Sequence, residues 1–215
     1  MLGPYENNRV TTIGTYAFYK LTKITSVSFE NVTSIGSYAF SGANKIEFIS
    51  FPKAVEIGQN AFEDCSSIKE ISLPMATDLG TSAFRNCIAA KRVSLPSIVT
   101  LSNYAVSITG AEEIILGDAL EKIGDYCFQK NAALTKLKLG PNVLSIGNRI
   151  IANSGVTEIK LSRKPTTKFS PTAFSEATEL TDIYVPWSEG EMANAPWGAP
   201  NATVHYEYDP NSDTE

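Results

Sequence analysis

Apolar residues recur along this chain in two interlocked patterns. The first is the phrase Ile-Gly-x-x-Ala-Phe, present as Ile13-Gly14…Ala17-Phe18, Ile35-Gly36…Ala39-Phe40, Ile57-Gly58…Ala61-Phe62 and Leu79-Gly80…Ala83-Phe84. Looser copies start at Leu101, Ile123, Ile146 and Phe169, carrying Ala105-Val106, Cys127-Phe128, Ile150-Ile151 and Ala173-Phe174. The eight copies start 22, 22, 22, 22, 22, 23 and 23 residues apart. The second pattern alternates in phase with the first, as Val27-Ser28-Phe29, Ile49-Ser50-Phe51, Ile71-Ser72-Leu73 and Val93-Ser94-Leu95. It continues at Ile114-Ile115-Leu116, Leu137-Lys138-Leu139, Ile159-Lys160-Leu161 and Ile183-Tyr184-Val185.

Alternation with a period of two predicts a short strand with one buried face. The Ala-Phe segment after each glycine predicts a short helical or 3-10 turn with its Phe inward. One such unit cannot bury its own apolar side, whereas stacked copies bury one another. Neighbouring coils then lie about 4.8 Å apart, the spacing of hydrogen-bonded strands. The fold class is an α/β repeat solenoid, with parallel short strands on one face and helical or 3-10 turns opposite. The glycine after the apolar start suits either a positive φ or a close approach of backbones between coils; Ser102 and Ser170 replace it in two copies. Pro52, Pro74 and Pro96 end strands because proline cannot donate to a ladder, and Gly117 and Gly140 take that place later.

These phrases resemble the BspA-like (Treponema pallidum-type) leucine-rich repeats, whose unit reads Ile-Gly-x-x-Ala-Phe-x-x-Cys-x-x-Leu-x-x-Ile-x-Leu-Pro. Ile57-Gly58, Ala61-Phe62, Cys65, Ile68, Ile71 and Leu73-Pro74 follow it almost fully, and the resemblance runs from Ile13 to Pro186. It implies a leucine-rich-repeat right-handed superhelix and a bacterial or protist surface protein, often an adhesin or ligand-binding module. Extracellular or cell-surface localisation is expected on that ground. The family carries no shared catalytic residues, and fold alone does not fix function.

The chain divides into residues 1–12 as an N-terminal extension or truncated cap, 13–186 as eight repeats, 187–208 as a C-terminal cap and 209–215 as a mobile tail. The cap reads as a short helix from Glu189 to Asn194 followed by a strand near Thr203 to Tyr206 that joins the sheet edge. Trp187 and Trp197 are expected to pack within it. The first coil has no upstream strand, so the expectation is a fragment of a longer protein, or a segment from Leu2 to Val10 folded over the end.

Composition narrows the chemistry. Lysine and arginine number 18 against 23 acidic residues, a net charge of −5, with no broad basic footprint for nucleic acid. No apolar run reaches the length of about 18 residues that spans a bilayer. The start, Met1-Leu2-Gly3-Pro4-Tyr5-Glu6, has no signal-peptide pattern. Cys65 and Cys87 share a repeat position and, with Cys127, read as buried packing rather than a disulfide, because equivalent residues on adjacent coils project in parallel. No zinc spacing occurs, and no metal or cofactor is expected. His205 is the one histidine and lacks a nucleophile motif or an acidic partner pattern, so catalysis is not expected. Glu112-Glu113 and Glu189-Gly190-Glu191 read as solvated carboxylates, and Asn31-Val32-Thr33 and Asn201-Ala202-Thr203 are formal glycosylation acceptors.

Residues between the inward positions of each strand point outward. The candidate binding face comprises Phe48, Glu70, Arg92, Glu113, Ile115, Lys136, Lys138, Glu158, Lys160 and Tyr184, with a serine row in the first four coils. Tyr16, Tyr38, Tyr104 and Tyr126 form a second row, read as rings packed flat between coils. The expected role is a non-enzymatic module that binds a protein ligand, such as a host surface or matrix protein, through the strand face. The alternatives are a structural spacer of a longer surface protein, and a carbohydrate-binding module using Tyr16, Tyr38, Trp187 or Trp197 as platforms.

Overall fold

The computed structural model describes residues 9–210, and its strands are all paired in parallel. Each coil contributes one strand to each of two series. The short series is β1 (Thr12–Ile13), β3 (Ser34–Ile35), β5 (Glu56–Ile57), β7 (Asp78–Leu79), β9 (Thr100–Leu101), β11 (Lys122–Ile123), β13 (Ser145–Ile146) and β15 (Lys168–Phe169), joined in that order in one eight-stranded sheet. The face series is β2 (Ser26–Ser28), β4 (Phe48–Ser50), β6 (Glu70–Ser72), β8 (Arg92–Leu95), β10 (Glu113–Leu116), β12 (Lys136–Leu139), β14 (Glu158–Leu161), β16 (Asp182–Tyr184) and β17 (Thr203–His205). Its ladders are β2-β4, β6-β8-β10 and β12-β14-β16-β17, with β4 beside β6 and β10 beside β12 where pairing lapses.

The expected helical turns do not form: the described residues contain no α-helix, so the α/β assignment is corrected to an all-strand solenoid. The Ala-Phe arm is instead a chain of overlapping tight turns. In the first coil the carbonyls of Gly14, Tyr16 and Phe18 accept from the N–H groups of Ala17, Tyr19 and Leu21 at 3.2, 3.2 and 3.3 Å. Tyr16 and Lys20 take left-handed φ values of 58° and 54°. The N–H groups of Tyr16, Phe18 and Lys20 then donate one coil onward, to the carbonyls of Ser37, Ala39 and Ser41 at 3.1, 2.7 and 2.8 Å. A helix would consume these donors along its own axis. Here they bind the stack together, at the cost of about 1–2 kcal/mol for each left-handed residue other than glycine.

The recurrence of glycine in the repeat phrase has a steric cause. Gly36, Gly58 and Gly80 do not adopt positive φ, so of the two readings the close approach is the one realised. A Cβ on Gly58 would stand 2.6 Å from Ser37 N and 2.7 Å from the Gly36 carbonyl carbon of the coil before it. Gly14, in the first coil, has nothing within 4 Å of that position.

The interior is a set of columns running the length of the stack. Phe40, Phe62 and Phe84 are fully buried, and with Phe18 they form a ring ladder at centroid spacings of 4.8, 4.9 and 4.9 Å with interplanar angles of 1°, 8° and 3°. A neighbouring column caps carbonyls of the previous coil. Cys65 Sγ donates to Phe40 O at 3.1 Å, Cys87 Sγ to Phe62 O at 3.3 Å, and the buried Asn131 Nδ2 to Val106 O at 3.0 Å.

The last coil is covered by Trp187 and Trp197, both buried, with Trp197 packed at 4.6 Å on Phe169. Residues 189–194 are turns rather than the expected helix. Gly190 and Asn194 have φ of 85° and 67°, which no helix tolerates, and Glu191 folds back to accept the Ser188 N–H at 2.9 Å. The expected strand is present as β17, parallel to β16 in register Asp182↔Thr203 and Tyr184↔His205. The segment from Leu2 to residue 8 and the tail from 211 lie outside the described residues.

Candidate functional site

The alternation of each face strand sends its second and, where present, fourth member toward the core and the rest outward. Parallel register then aligns the outward residues of successive coils. One row runs Ser26↔Phe48, then Glu70↔Arg92↔Glu113, then Lys136↔Glu158↔Asp182↔Thr203. The other runs Ser28↔Ser50, then Ser72↔Ser94↔Ile115, then Lys138↔Lys160↔Tyr184↔His205. All ten candidate residues therefore lie on one face, spread over coils two to eight. Phe48 is 60% exposed, whereas Ile115, Glu158, Lys160 and Tyr184 are half-buried.

Charge is distributed unevenly along this face. In the N-terminal half three cations meet a carboxylate of an adjacent coil: Lys69–Glu47 at 2.6 Å, Lys91–Glu112 at 3.0 Å and Arg92–Glu113 at 3.2 Å. The Lys69 ammonium also lies 5.2 Å from the Phe48 ring centroid. In the C-terminal half the pattern breaks, because Lys138 and Lys160 are register partners. Like charges opposite one another in a ladder are destabilising. Lys160 is accommodated by Glu158 at 3.8 Å and by the rings of Tyr184 and Tyr208, each with its centroid 5.3 Å from the ammonium. The Lys136 and Lys138 ammonium groups have no hydrogen-bond or ion-pair partner among the described residues.

One contact escaped the reading of the sequence. His205 Nε2 lies 2.7 Å from Asp182 Oδ1, and its ring stacks on Tyr184 at 4.4 Å. Thr181 Oγ1 donates to the other carboxylate oxygen at 2.7 Å. The hydrogen bond from His205, then that from Thr181, holds the Asp182 carboxyl below its ordinary value. The signal was a spacing of 23 residues, one coil, between Asp182 and His205. The three thiols are all buried and unbridged, and burial pushes Cys65 up to about 12, with Cys87 and Cys127 also raised.

A hollow of about 480 Å³ lies not on the strand face but along the short-strand sheet, beside Ser102, Asn103, Gly124 and Asp125. Its polar groups are engaged in the stack. Asn103 Oδ1 accepts the Asp125 N–H at 2.8 Å, Asp125 Oδ1 accepts the Asn148 N–H at 2.7 Å, and Asn148 Oδ1 accepts from Ser170 and Thr172 hydroxyls at 2.5 and 2.9 Å. The tyrosine row packs as expected: Tyr16 on Tyr38 at 5.0 Å and Tyr104 on Tyr126 at 4.9 Å, so the rings turn their faces to one another. With Trp187 and Trp197 buried, those two offer no stacking platform to a sugar. Among the described residues no cluster of three or more His, Cys, Asp and Glu is placed to hold a metal, and no helix is long and apolar enough to cross a membrane.

Comparison with known proteins agrees with this architecture. No curated protein shows significant similarity to the chain. Among solved structures, a leucine-rich repeat protein from Bacteroides ovatus superposes with a TM-score of 0.61 at 18% identity, over 91% of this chain and 64% of its own. The chain thus spans under two thirds of that relative. A leucine-rich cell surface protein from Faecalibacterium prausnitzii gives a TM-score of 0.45 at 17% identity, over 94% of this chain and 71% of its own. A T. pallidum leucine-rich repeat protein gives 0.38 at 20% identity, over 81% and 62%. The family model for the BspA-type leucine-rich repeat region matches residues 6–107 and 100–192, with six copies of the unit. With its coils stacked as the repeats require, the chain belongs to the BspA-type leucine-rich repeat family.

Proposed function

We propose that the chain is a non-enzymatic protein-interaction module of a bacterial cell-surface protein, and that it binds its protein ligand through the strand face. The observation that carries this reading is the alignment of outward side chains into two rows, in register within each of the three parallel ladders of the face. Stacked repeats offer such extended surfaces for binding. On this face Lys136 and Lys138 make no ion pair among the described residues, whereas the polar groups of the hollow beside Asn103 and Asp125 are engaged with neighbouring coils. The family resemblance supports a surface role in adhesion.

The test is a binding screen of the full chain against extracellular matrix and epithelial surface proteins, repeated with Phe48→Ser and Arg92→Glu variants. Saturable binding that one or both variants weaken supports the reading. Absence of saturable binding favours the spacer alternative, and binding insensitive to every outward substitution on the face places the site elsewhere. A hit on a glycan array that tracks Tyr16 or Tyr38 favours the carbohydrate alternative.

A further inference from the structure

The strand face is interrupted between β10 and β12, where the strands are adjacent but the ladder does not continue. The fifth coil has one residue fewer before its face strand, at Thr109-Gly110-Ala111, and one more after it, at Leu116-Gly117-Asp118-Ala119-Leu120. It sits tightly on the fourth coil, since a Cβ on Gly117 would overlap the Pro96 carbonyl oxygen. Two adjoining hollows open on the far side. One, about 220 Å³, is lined by Ile115, Leu116, Asp118 and Lys138; the other, about 300 Å³, by Lys136, Lys138, Glu158 and Lys160. Lys138 is common to both.

Resting on the reading of the strand face as the binding surface, we propose that this break docks an acidic polypeptide segment bearing an apolar side chain. The apolar side chain enters the hollow beside Ile115 and Leu116, and flanking carboxylates meet Lys136 and Lys138. Charge complementarity selects this occupant. The chain carries a net charge of −5, and Lys69, Lys91 and Arg92 are all neutralised by carboxylates of adjacent coils. Lys136 and Lys138 make no ion pair among the described residues: Glu158 stands opposite Lys136 in the ladder without bridging it, and Lys138 stands opposite the like-charged Lys160. An incoming carboxylate supplies the missing counter-charge and relieves the Lys138–Lys160 repulsion. Asp118 and Glu158 are the acidic groups that line the two hollows, and Glu158 already faces Lys160. The half-buried Ile115 and Leu116 favour a polypeptide over a sulfated polysaccharide, which has no apolar group to place there.

The experiment is panning of a random peptide display library on the full chain, followed by affinity measurement with the synthetic winning peptide. The comparison variants are Lys136→Glu with Lys138→Glu, the conservative Lys138→Gln, Ile115→Ser, and Lys45→Glu as an exposed control outside the break. The expected winners carry carboxylates around an apolar residue. Their affinity falls about tenfold in the double reversal, since two attractive contacts become repulsive, and falls less in Lys138→Gln. It falls again in Ile115→Ser, is unchanged in Lys45→Glu, and weakens as the ionic strength approaches about 1 M. Each variant is checked by its melting temperature, and Lys138→Gln keeps the test valid if the double reversal fails to fold. Neutral or basic winners, or no enrichment, overturn the proposal. So does binding lost in Phe48→Ser but kept in the lysine variants, which leaves the strand-face reading intact. Heparin binding that ignores Ile115→Ser identifies a sulfated polysaccharide instead and also overturns it.

Discussion

Alanine in place of Gly58 and of Gly14 makes a matched pair of perturbations, because both residues occupy the same place in the repeat phrase. At Gly58 the added methyl would stand 2.6 Å from Ser37 N and 3.0 Å from Ile35 O, so the third coil must lift off the second. At Gly14 it meets nothing within 4 Å. How far a coil yields is recorded in the stack itself. Where glycine occupies the position, its N–H donates to the previous coil at 2.8 Å for Gly36, Gly58, Gly80 and Gly124 and 2.9 Å for Gly147. Where serine replaces it, the bond lengthens to 3.0 Å at Ser102 and 3.1 Å at Ser170. A shift of a few tenths of an ångström, with the bond retained, places Gly58→Ala in the ordinary range for overpacking, about 1–3 kcal/mol destabilising. Gly14→Ala loses only unfolded-chain freedom and stabilises by about 0.4–1 kcal/mol. Thermal unfolding of the full chain followed by circular dichroism separates them, at about 2–4 °C per kcal/mol for a chain of this size. Equal shifts for the two variants, or a higher melting temperature for Gly58→Ala, would refute the account of why the phrase contains glycine.

Ile108 holds a φ of 56° and is the one β-branched residue in a column that otherwise holds Gly42, Asp64, Asn86 and Asn153 together with Lys20, Lys130 and Glu176. Ile108→Asn is expected to raise stability by about 1 kcal/mol in chemical denaturation, since a β-branched residue is strained there; a destabilised variant contradicts this. The thiols of Cys65, Cys87 and Cys127 are buried, with Cys65 pushed up to about 12. Their reaction with an aromatic disulfide reagent at neutral pH should track unfolding, and rapid labelling of the native chain counts against their placement. The depressed carboxyl of Asp182 contributes stability that is complete above its ordinary value of 3.8 and is lost as pH falls through the lower folded value. Hydrogen exchange at the amides of β17 should accelerate over that acid range, and Asp182→Asn should remove the acid dependence; an unchanged profile excludes the contact with His205 as its source.

The period, the inward phenylalanines and the outward rows were legible because each is a repeated choice: one apolar position recurring every coil states its own burial. The conformation of the Ala-Phe arm was not. Two adjacent small and aromatic residues suit a helical turn as well as a tight one, and the discriminating positions hold Tyr16, Lys20, Ile108 and Lys130, which give no local sign of left-handed backbone. Gly42, Asn60, Asp64, Asn86 and Asn153 did carry that sign, since small polar residues and glycine tolerate it. Asp182 and His205 looked unrelated because their pairing depends on the coil length near the end of the chain. The irregularity of the fifth coil was hidden for a similar reason. The fifth coil lost one residue and gained another within a single repeat, so the Ile-Gly spacing stayed at 22.

The phenylalanine ladder has a consequence for how such genes change length. Each ring touches only the coils above and below it, so copying or excising a whole unit leaves every surviving interface with an equivalent neighbour. Adding one codon within the arm would instead rotate the following residues out of phase and leave a gap in the column. Growth and loss should therefore come in multiples of the repeat, with odd codons accepted chiefly in connections after the face strands, as at Gly140-Pro141-Asn142.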